Sequence, residues 1–175
     1  MIKNNTRKLI FASLFTALIY VGTAMISITL PFGYFNFGDF FILMSSWLLG
    51  GTYAISAAAI GSALADLSLG YAAYAPATFV IKALVAVVAW FICNKLTNTK
   101  LGAVKYMLAA IIAEIVMVLG YYLFECALYS SFVVPVASLP GNLLQGTVAI
   151  ISAVTVITIL DSIGLKDRLN KFKNK

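Results

Sequence analysis

The sequence predicts a single all-α membrane domain, residues 1–175, folded as a bundle of six transmembrane helices. Three features indicate this fold class. The chain is 62% hydrophobic and only 10% charged, whereas a soluble domain carries about 25% charged residues. Apolar stretches close to the roughly 20 residues that a helix needs to cross a bilayer recur along the chain. The net charge is +6, and all but one of the Lys and Arg residues cluster between or beyond these stretches.

The first apolar stretch, 9–30, is longer than the apolar core of a signal peptide, which has roughly 7–15 residues. We therefore expect a helix that is retained. The next region, 40–67, is either one long helix or two short helices broken near Gly50 and Gly51. The later apolar stretches are uninterrupted.

The placement of basic residues decides between five and six spans. Two short helices put the N terminus, the loop 95–105 and the lysine-rich tail together on the cytoplasmic side, as the positive-inside rule expects. One long helix would put a basic end outside. We therefore predict cytoplasmic N and C termini, with spans at about 9–30, 40–50, 52–67, 75–93, 106–126 and 139–160.

Lys82 is the only charged residue inside the span 75–93. A lysine at the centre of a membrane helix costs about 2.5–3.5 kcal/mol on insertion scales. A counter-ion, a water-filled cavity or a ligand must offset this cost. The candidate counter-ions are Asp39, Asp66, Glu114 and Glu125. A buried pair with Asp66 or Glu114 would stabilise the bundle without any ligand.

The polar residues inside the spans lie at similar expected depths. Lys82 is about 9 Å below the outer end of its helix at 1.5 Å per residue. Asp66 ends the preceding span on the same side, and Glu114 lies near the middle of the fifth span. The inner half of the expected bundle has no such residue, so a polar site would open to the outside and be closed below.

Helical spacing places these residues on single faces. Glu114, Tyr121 and Glu125 are separated by seven and four residues, so they share one face of the fifth helix. Asn142 and Gln145 share one face at the start of the sixth. The outer loops add aromatic rings and amides that can cover and orient a small ligand. The predicted binding residues are Asn36, Asp66, Tyr71, Tyr74, Lys82, Glu114, Tyr121, Asn142 and Gln145.

Small residues four positions apart mark a second surface, on the first helix. Such pairs let helices approach closely, either inside the bundle or against another membrane protein. The residues concerned are Ala12, Ser13, Thr16 and Ala17, and their spacing leaves both uses open.

Several function classes are not supported by the sequence. The chain has no histidine, the commonest metal ligand, and we predict no metal site. It lacks the GxxxxGK[ST] phosphate-binding loop, so we expect no ATP hydrolysis of that kind. The basic residues flank apolar spans, which argues against nucleic-acid binding.

A series of motifs resembles the substrate-binding S components of energy-coupling factor (ECF) transporters, with the branch linked to riboflavin, pyridoxine and hydroxymethylpyrimidine the most similar. The motifs are YFNFGD at 34–39, GSALAD at 61–66, YAPAT at 74–78, IK at 81–82, AE at 113–114, GY at 70–71 and at 120–121, and PGNLLQG at 140–146.

The resemblance implies a six-helix bundle in the bacterial plasma membrane that captures a vitamin on its outer face. It also implies docking onto a transmembrane coupling protein and two cytoplasmic ATPases, which would use the ATP. No cofactor is then expected in this chain. The family's AxxxA surface on the first helix, which contacts the coupling protein, corresponds to Ser13–Ala17 here, with serine for the first alanine. The resemblance therefore implies a partner contact at Ala12, Ser13, Thr16 and Ala17.

The function that we predict is vitamin capture without catalysis. The polar groups favour a pyridoxine-like or hydroxymethylpyrimidine-like ligand over riboflavin, which remains an alternative. An ion-coupled carrier with Glu114 as its proton site is a second alternative. An intramembrane hydrolase is a third, and it would need Ser62 or Ser68 beside Lys82 as base.

Overall fold

The computed structural model describes residues 5–29, 34–96 and 101–171. Six principal helices are joined by a small hairpin and short turns. The elements are α1 (Asn5–Ala24), β1 (Ser27–Thr29), β2 (Tyr34–Asn36), α2 (Gly38–Leu48), α3 (Gly51–Ser68), α4 (Ala75–Lys95), α5 (Val104–Tyr129), a 3-10 helix (Val134–Ser138), α6 (Leu139–Ser162) and α7 (Leu165–Lys171).

Four of the described helices are long and apolar enough to cross a membrane: α1, α4, α5, and α6 together with the 3-10 helix before it. Helix α2 is apolar but has only 11 residues, about 16 Å at 1.5 Å per residue. The helical bundle, to which the small hairpin is the one β addition among the described residues, agrees with the predicted fold class. Six complete crossings and cytoplasmic termini stay predictions.

Two glycines separate α2 from α3. Gly50 and Gly51 have φ values of 63° and 55°, a region that glycine enters without the steric penalty paid by other residues. The N–H groups of Leu49 and Gly50 both bond back to the Ser45 carbonyl, which closes α2. The predicted break near Gly50 is therefore present.

The first helix ends earlier than its apolar pattern suggests. Helix α1 stops at Ala24, and β1 then pairs antiparallel with β2, with Ser27 opposite Asn36. The apolar, β-branched residues after Ala24 suit a strand as well as a helix, so hydropathy alone does not reveal the change. Leu30 of the predicted span and residues 31–33 of the predicted outer loop lie outside the described residues.

Small side chains bring α1 and α3 close together. A Cβ on Gly61 would lie 2.7 Å from the backbone oxygen of Thr16, and Ala12 is buried in the core. Ser13 and Ala17, on the neighbouring face of α1, are exposed. The four predicted partner-contact residues therefore divide into a pair turned toward the bundle and a pair on its surface.

Candidate binding site

Lys82 is paired with Asp39. Its ammonium donates to both carboxylate oxygens, at 2.7 and 2.8 Å, and the two residues are 2% and 0% exposed. Asp39 is one of the four candidate counter-ions named from the sequence, whereas the pair considered there for a bundle without a ligand was with Asp66 or Glu114. Because α2 begins at Gly38, Asp39 lies in its first turn and meets α4 directly.

A chain of buried amides extends this ion pair to the hairpin. The Gln145 Nε2 group donates to Asp39. Gln145 Oε1 accepts from the Asn36 backbone N–H at 3.1 Å and from Asn36 Nδ2 at 2.8 Å. Asn36 Oδ1 in turn accepts from the Gly38 N–H at 2.9 Å. The network thus ties β2, α2, α4 and α6 together, and its one acidic and one basic charge cancel.

Tyr121 joins α5 to the same region. Its hydroxyl lies 3.0 Å from the Thr78 hydroxyl on α4. The Lys82 ammonium is 5.3 Å from the centre of the Tyr121 ring, within the range of a cation–π interaction. The lysine is therefore fixed on two sides before any ligand is considered.

A polar cavity of about 160 Å³ lies against this network. Seven of the nine predicted binding residues line it; Lys82 and Glu114 do not. Sequence reasoning omitted four other lining residues, of which Thr78 and Glu125 carried the same helical-spacing signal as those chosen. The lining residues are Asn36, Asp66, Tyr71, Tyr74, Thr78, Tyr121, Glu125, Tyr129, Ser138, Asn142 and Gln145.

A second hydrogen-bond cluster forms the outer part of the cavity. The Glu125 carboxylate accepts from Ser138 and, at 3.4 Å, from the Tyr74 hydroxyl. The Tyr74 and Tyr129 hydroxyls are 3.1 Å apart. Burial, together with the hydrogen bond to Tyr129, raises the pKa of Tyr74 above its ordinary value, so this phenol stays protonated at neutral pH.

Asn142 differs from the other two amides of the cavity. Asn36 and Gln145 are engaged in the buried network. Within the described part of the chain, the Asn142 side chain makes no hydrogen bond to another residue. Its amide is therefore available to a ligand.

Glu114 lies away from the cavity. It is buried on α5 and borders an apolar groove between α5 and α6. Neither carboxylate oxygen has a hydrogen-bond partner among the described residues. The seven residues from Glu114 to Tyr121 correspond to about 10 Å along the helix, which puts Glu114 deeper in the bundle than the cavity.

The charges that line the cavity are negative. Asp66 and Glu125 are the only charged residues among the described ones that line it. The nearby lysine is bound to Asp39 and lies behind the wall. An anion in the cavity would face these two carboxylates, whose negative charge opposes it.

A polar, aromatic-lined cavity at one end of an apolar helix bundle defines a membrane-embedded protein that binds a small molecule. A sequence model of the family described as "ECF-type riboflavin transporter, S component" matches residues 3–162. The chain belongs to this family, which is the substrate-binding component of a transporter.

Two individual proteins are similar to the chain. An uncharacterized protein of Pyrococcus woesei is 35% identical over 113 residues, which cover 63% of this chain and 73% of that protein. The solved structure of the S component of a bacterial ECF transporter is 23% identical, with a TM-score of 0.68, and the match covers 98% of this chain and 100% of that one. The second likeness shows the fold.

Proposed function

We propose that the chain captures a small, flat, hydroxylated nitrogen heterocycle in the polar cavity, from the outer side of the membrane. The cavity itself is the observation that carries this proposal, because it combines amides, hydroxyls and phenol rings at one end of an S-component bundle. Asn36, Asn142 and Gln145 provide donors and acceptors for ring heteroatoms and hydroxyls. Tyr71 and Tyr74 provide aromatic surface.

The size of the cavity supports a ligand with one ring. Its volume of about 160 Å³ is below the about 300–1,000 Å³ of pockets for drug-sized ligands. Pyridoxine-like and hydroxymethylpyrimidine-like molecules fit this volume better than three-ring riboflavin does. Asp66 and Glu125 add a preference for a neutral ring or a protonated nitrogen.

Riboflavin is the second candidate, since the family description that matches this chain is that of a riboflavin transporter component. We expect binding of the larger ring system to move the hairpin or the segment before α6 outward. A structure with riboflavin would show this as a displaced Ser138 or Asn36.

For Lys82 we propose the second of the two roles considered from the sequence, neutralisation by a carboxylate rather than contact with the ligand. Both oxygens of Asp39 accept from the Lys82 ammonium group, and Lys82 does not line the cavity. We assign to this pair the positioning of Gln145, which lines the cavity, rather than direct contact with the ligand.

The proposal includes partners that drive uptake. A transmembrane coupling protein would dock on the exposed Ser13 and Ala17 face of α1, and two cytoplasmic ATPases would supply the energy. The chain itself needs no cofactor for capture. The basic inner loop and tail support cytoplasmic termini in a bacterial plasma membrane. An ion-coupled carrier has less support, because Glu114 lies outside the cavity.

Reconstitution in liposomes distinguishes a substrate-capture subunit from an ion-coupled carrier. The purified chain alone in liposomes should bind the heterocycle but not accumulate it, and accumulation should need ATP and the coupling module. Mass spectrometry of the purified chain should also identify a small heterocycle that is retained. Uptake by the chain alone, driven by a proton gradient, would overturn the proposal in favour of the ion-coupled carrier.

A further inference from the structure

A second cavity, of about 330 Å³, lies at the opposite end of the bundle. It is formed where α2, α4 and α6 end and where α5 and α7 begin. Its volume is larger than that of the proposed vitamin site, and nothing in substrate capture uses it. The lining residues that matter for its chemistry are Trp47, Trp90, Asn94, Lys105, Asp161 and Lys166.

Two lysines bring positive charge to this cavity. The Lys166 ammonium lies 4.4 Å from the centre of the Trp47 ring, and the Lys105 ammonium lies 4.8 Å from that of Tyr106. The one carboxylate among the described lining residues, Asp161, accepts a hydrogen bond from the Tyr106 hydroxyl at 2.6 Å. The charges of these side chains leave an excess of one positive charge.

The cavity also holds a buried donor that has no acceptor. The indole N–H of Trp90 is buried and has no hydrogen-bond partner in the part of the chain that the structure describes. Indole nitrogen can only donate, and a buried donor without an acceptor costs about 1–3 kcal/mol. An oxyanion between Lys105, Lys166 and Trp90 would accept from this donor and would carry a charge opposite to that of the two ammonium groups.

We propose that this cavity binds a phosphate group. Lysine ammonium groups are common phosphate ligands, and the Trp90 N–H and the Asn94 amide add neutral donors. The helices that line the cavity end here, at the expected level of the membrane surface, where basic pockets between helices take anionic lipid head groups. The phosphate comes either from such a head group or from a free anion in solution.

The tryptophans of the chain provide an intrinsic fluorescence probe for this site. The chain has two tryptophans, and both line this cavity, whereas neither lines the proposed vitamin site. Tryptophan fluorescence therefore reports the inner cavity separately. One titration uses inorganic phosphate on the detergent-purified chain. The other compares nanodiscs of phosphatidylglycerol with nanodiscs of phosphatidylcholine.

We expect a saturable change in tryptophan emission. A change with inorganic phosphate would identify a free anion as the ligand, and a change only with phosphatidylglycerol would identify a lipid head group. Lys105→Gln and Lys166→Gln should each weaken the response about tenfold. Lys95→Gln is the matched control, because Lys95 stacks on Phe91 at 5.5 Å without lining the cavity. Thermal unfolding verifies that all three variants fold.

Three results would overturn the proposal. The first is the absence of a saturable response in both titrations. The second is an equal response to the two lipids without a response to phosphate. The third is an equal loss in Lys95→Gln and in the two cavity variants.

Discussion

Asp39 accepts two hydrogen bonds from Lys82, at 2.7 and 2.8 Å, in a region closed to solvent. The same carboxylate accepts from Gln145, whose other end holds Asn36. One buried ion pair thus fixes a wall of the proposed binding site. Its contribution to function is expected to be indirect, through the position of the amides.

Asp39→Asn should destabilise the protein by about 3–5 kcal/mol, because it leaves the Lys82 ammonium buried without a counter-ion. Adding Lys82→Met to this variant should recover most of the loss, since no buried charge then remains. Thermal unfolding in detergent measures both effects. Asp161→Asn, at an exposed position, is the control and should cost much less. A double variant less stable than Asp39→Asn would contradict the ion-pair explanation.

Gly38→Ala should destabilise the start of α2. A Cβ at this position would lie 2.1 Å from the Thr23 Oγ1 atom, and such overpacking costs about 1–3 kcal/mol. Thr23→Ala removes that oxygen, so the double variant should recover stability relative to Gly38→Ala. Thermal unfolding of the three variants tests this. If Thr23→Ala gives no recovery, the close contact is not the cause.

Much of the bundle could be predicted from the sequence, because hydropathy and the position of basic residues determine where apolar helices start and stop. The break at Gly50 followed from charge placement alone. The end of α1 at Ala24 did not, since a short run of apolar residues can form a strand or a helix. The pairing of Ser27 with Asn36 in the structure shows that this run forms a strand and not a helix.

The cavity was predictable to the extent that depth and helical angle determine a site. Those two measures placed Tyr121, Asn142 and Gln145 together, and all three line the cavity; their contact with a ligand stays a prediction. They could not predict the Lys82–Asp39 pair, which depends on where α2 begins and how it meets α4. Ser138 lies on a 3-10 helix, and no periodic pattern in the sequence predicts how this short helix is oriented.

Pyridoxine should bind at least about tenfold more tightly than pyridoxine phosphate if the proposed ligand class is correct. Asp66 and Glu125 are the charges of the cavity wall, and a like charge brought against them costs several kcal/mol. Isothermal titration calorimetry measures the difference. Glu125→Gln should reduce this difference in affinity, because one repelling charge is removed. Tighter binding of the phosphate ester would contradict the assigned charge of the site.

Glu114→Gln should leave ligand affinity within about twofold of the unmodified protein, because residue 114 lies outside the cavity. It should not lower stability, since it replaces a buried carboxyl that lacks hydrogen-bond partners with a neutral side chain of similar shape. Calorimetry and thermal unfolding check the two expectations. A large loss of affinity would return Glu114 to the binding site.

The polar cavity at the hairpin end is expected to bind the substrate, and calorimetric titration of two asparagine variants tests this most directly. Asn142 lines this cavity, while Asn94 lies at the other end of the bundle. We predict sub-micromolar binding of a single-ring vitamin to the unmodified chain and to Asn94→Ala, and binding about tenfold weaker to Asn142→Ala. Equal affinities in the two variants, or no binding of pyridoxine, hydroxymethylpyrimidine or riboflavin to the unmodified chain, would contradict it.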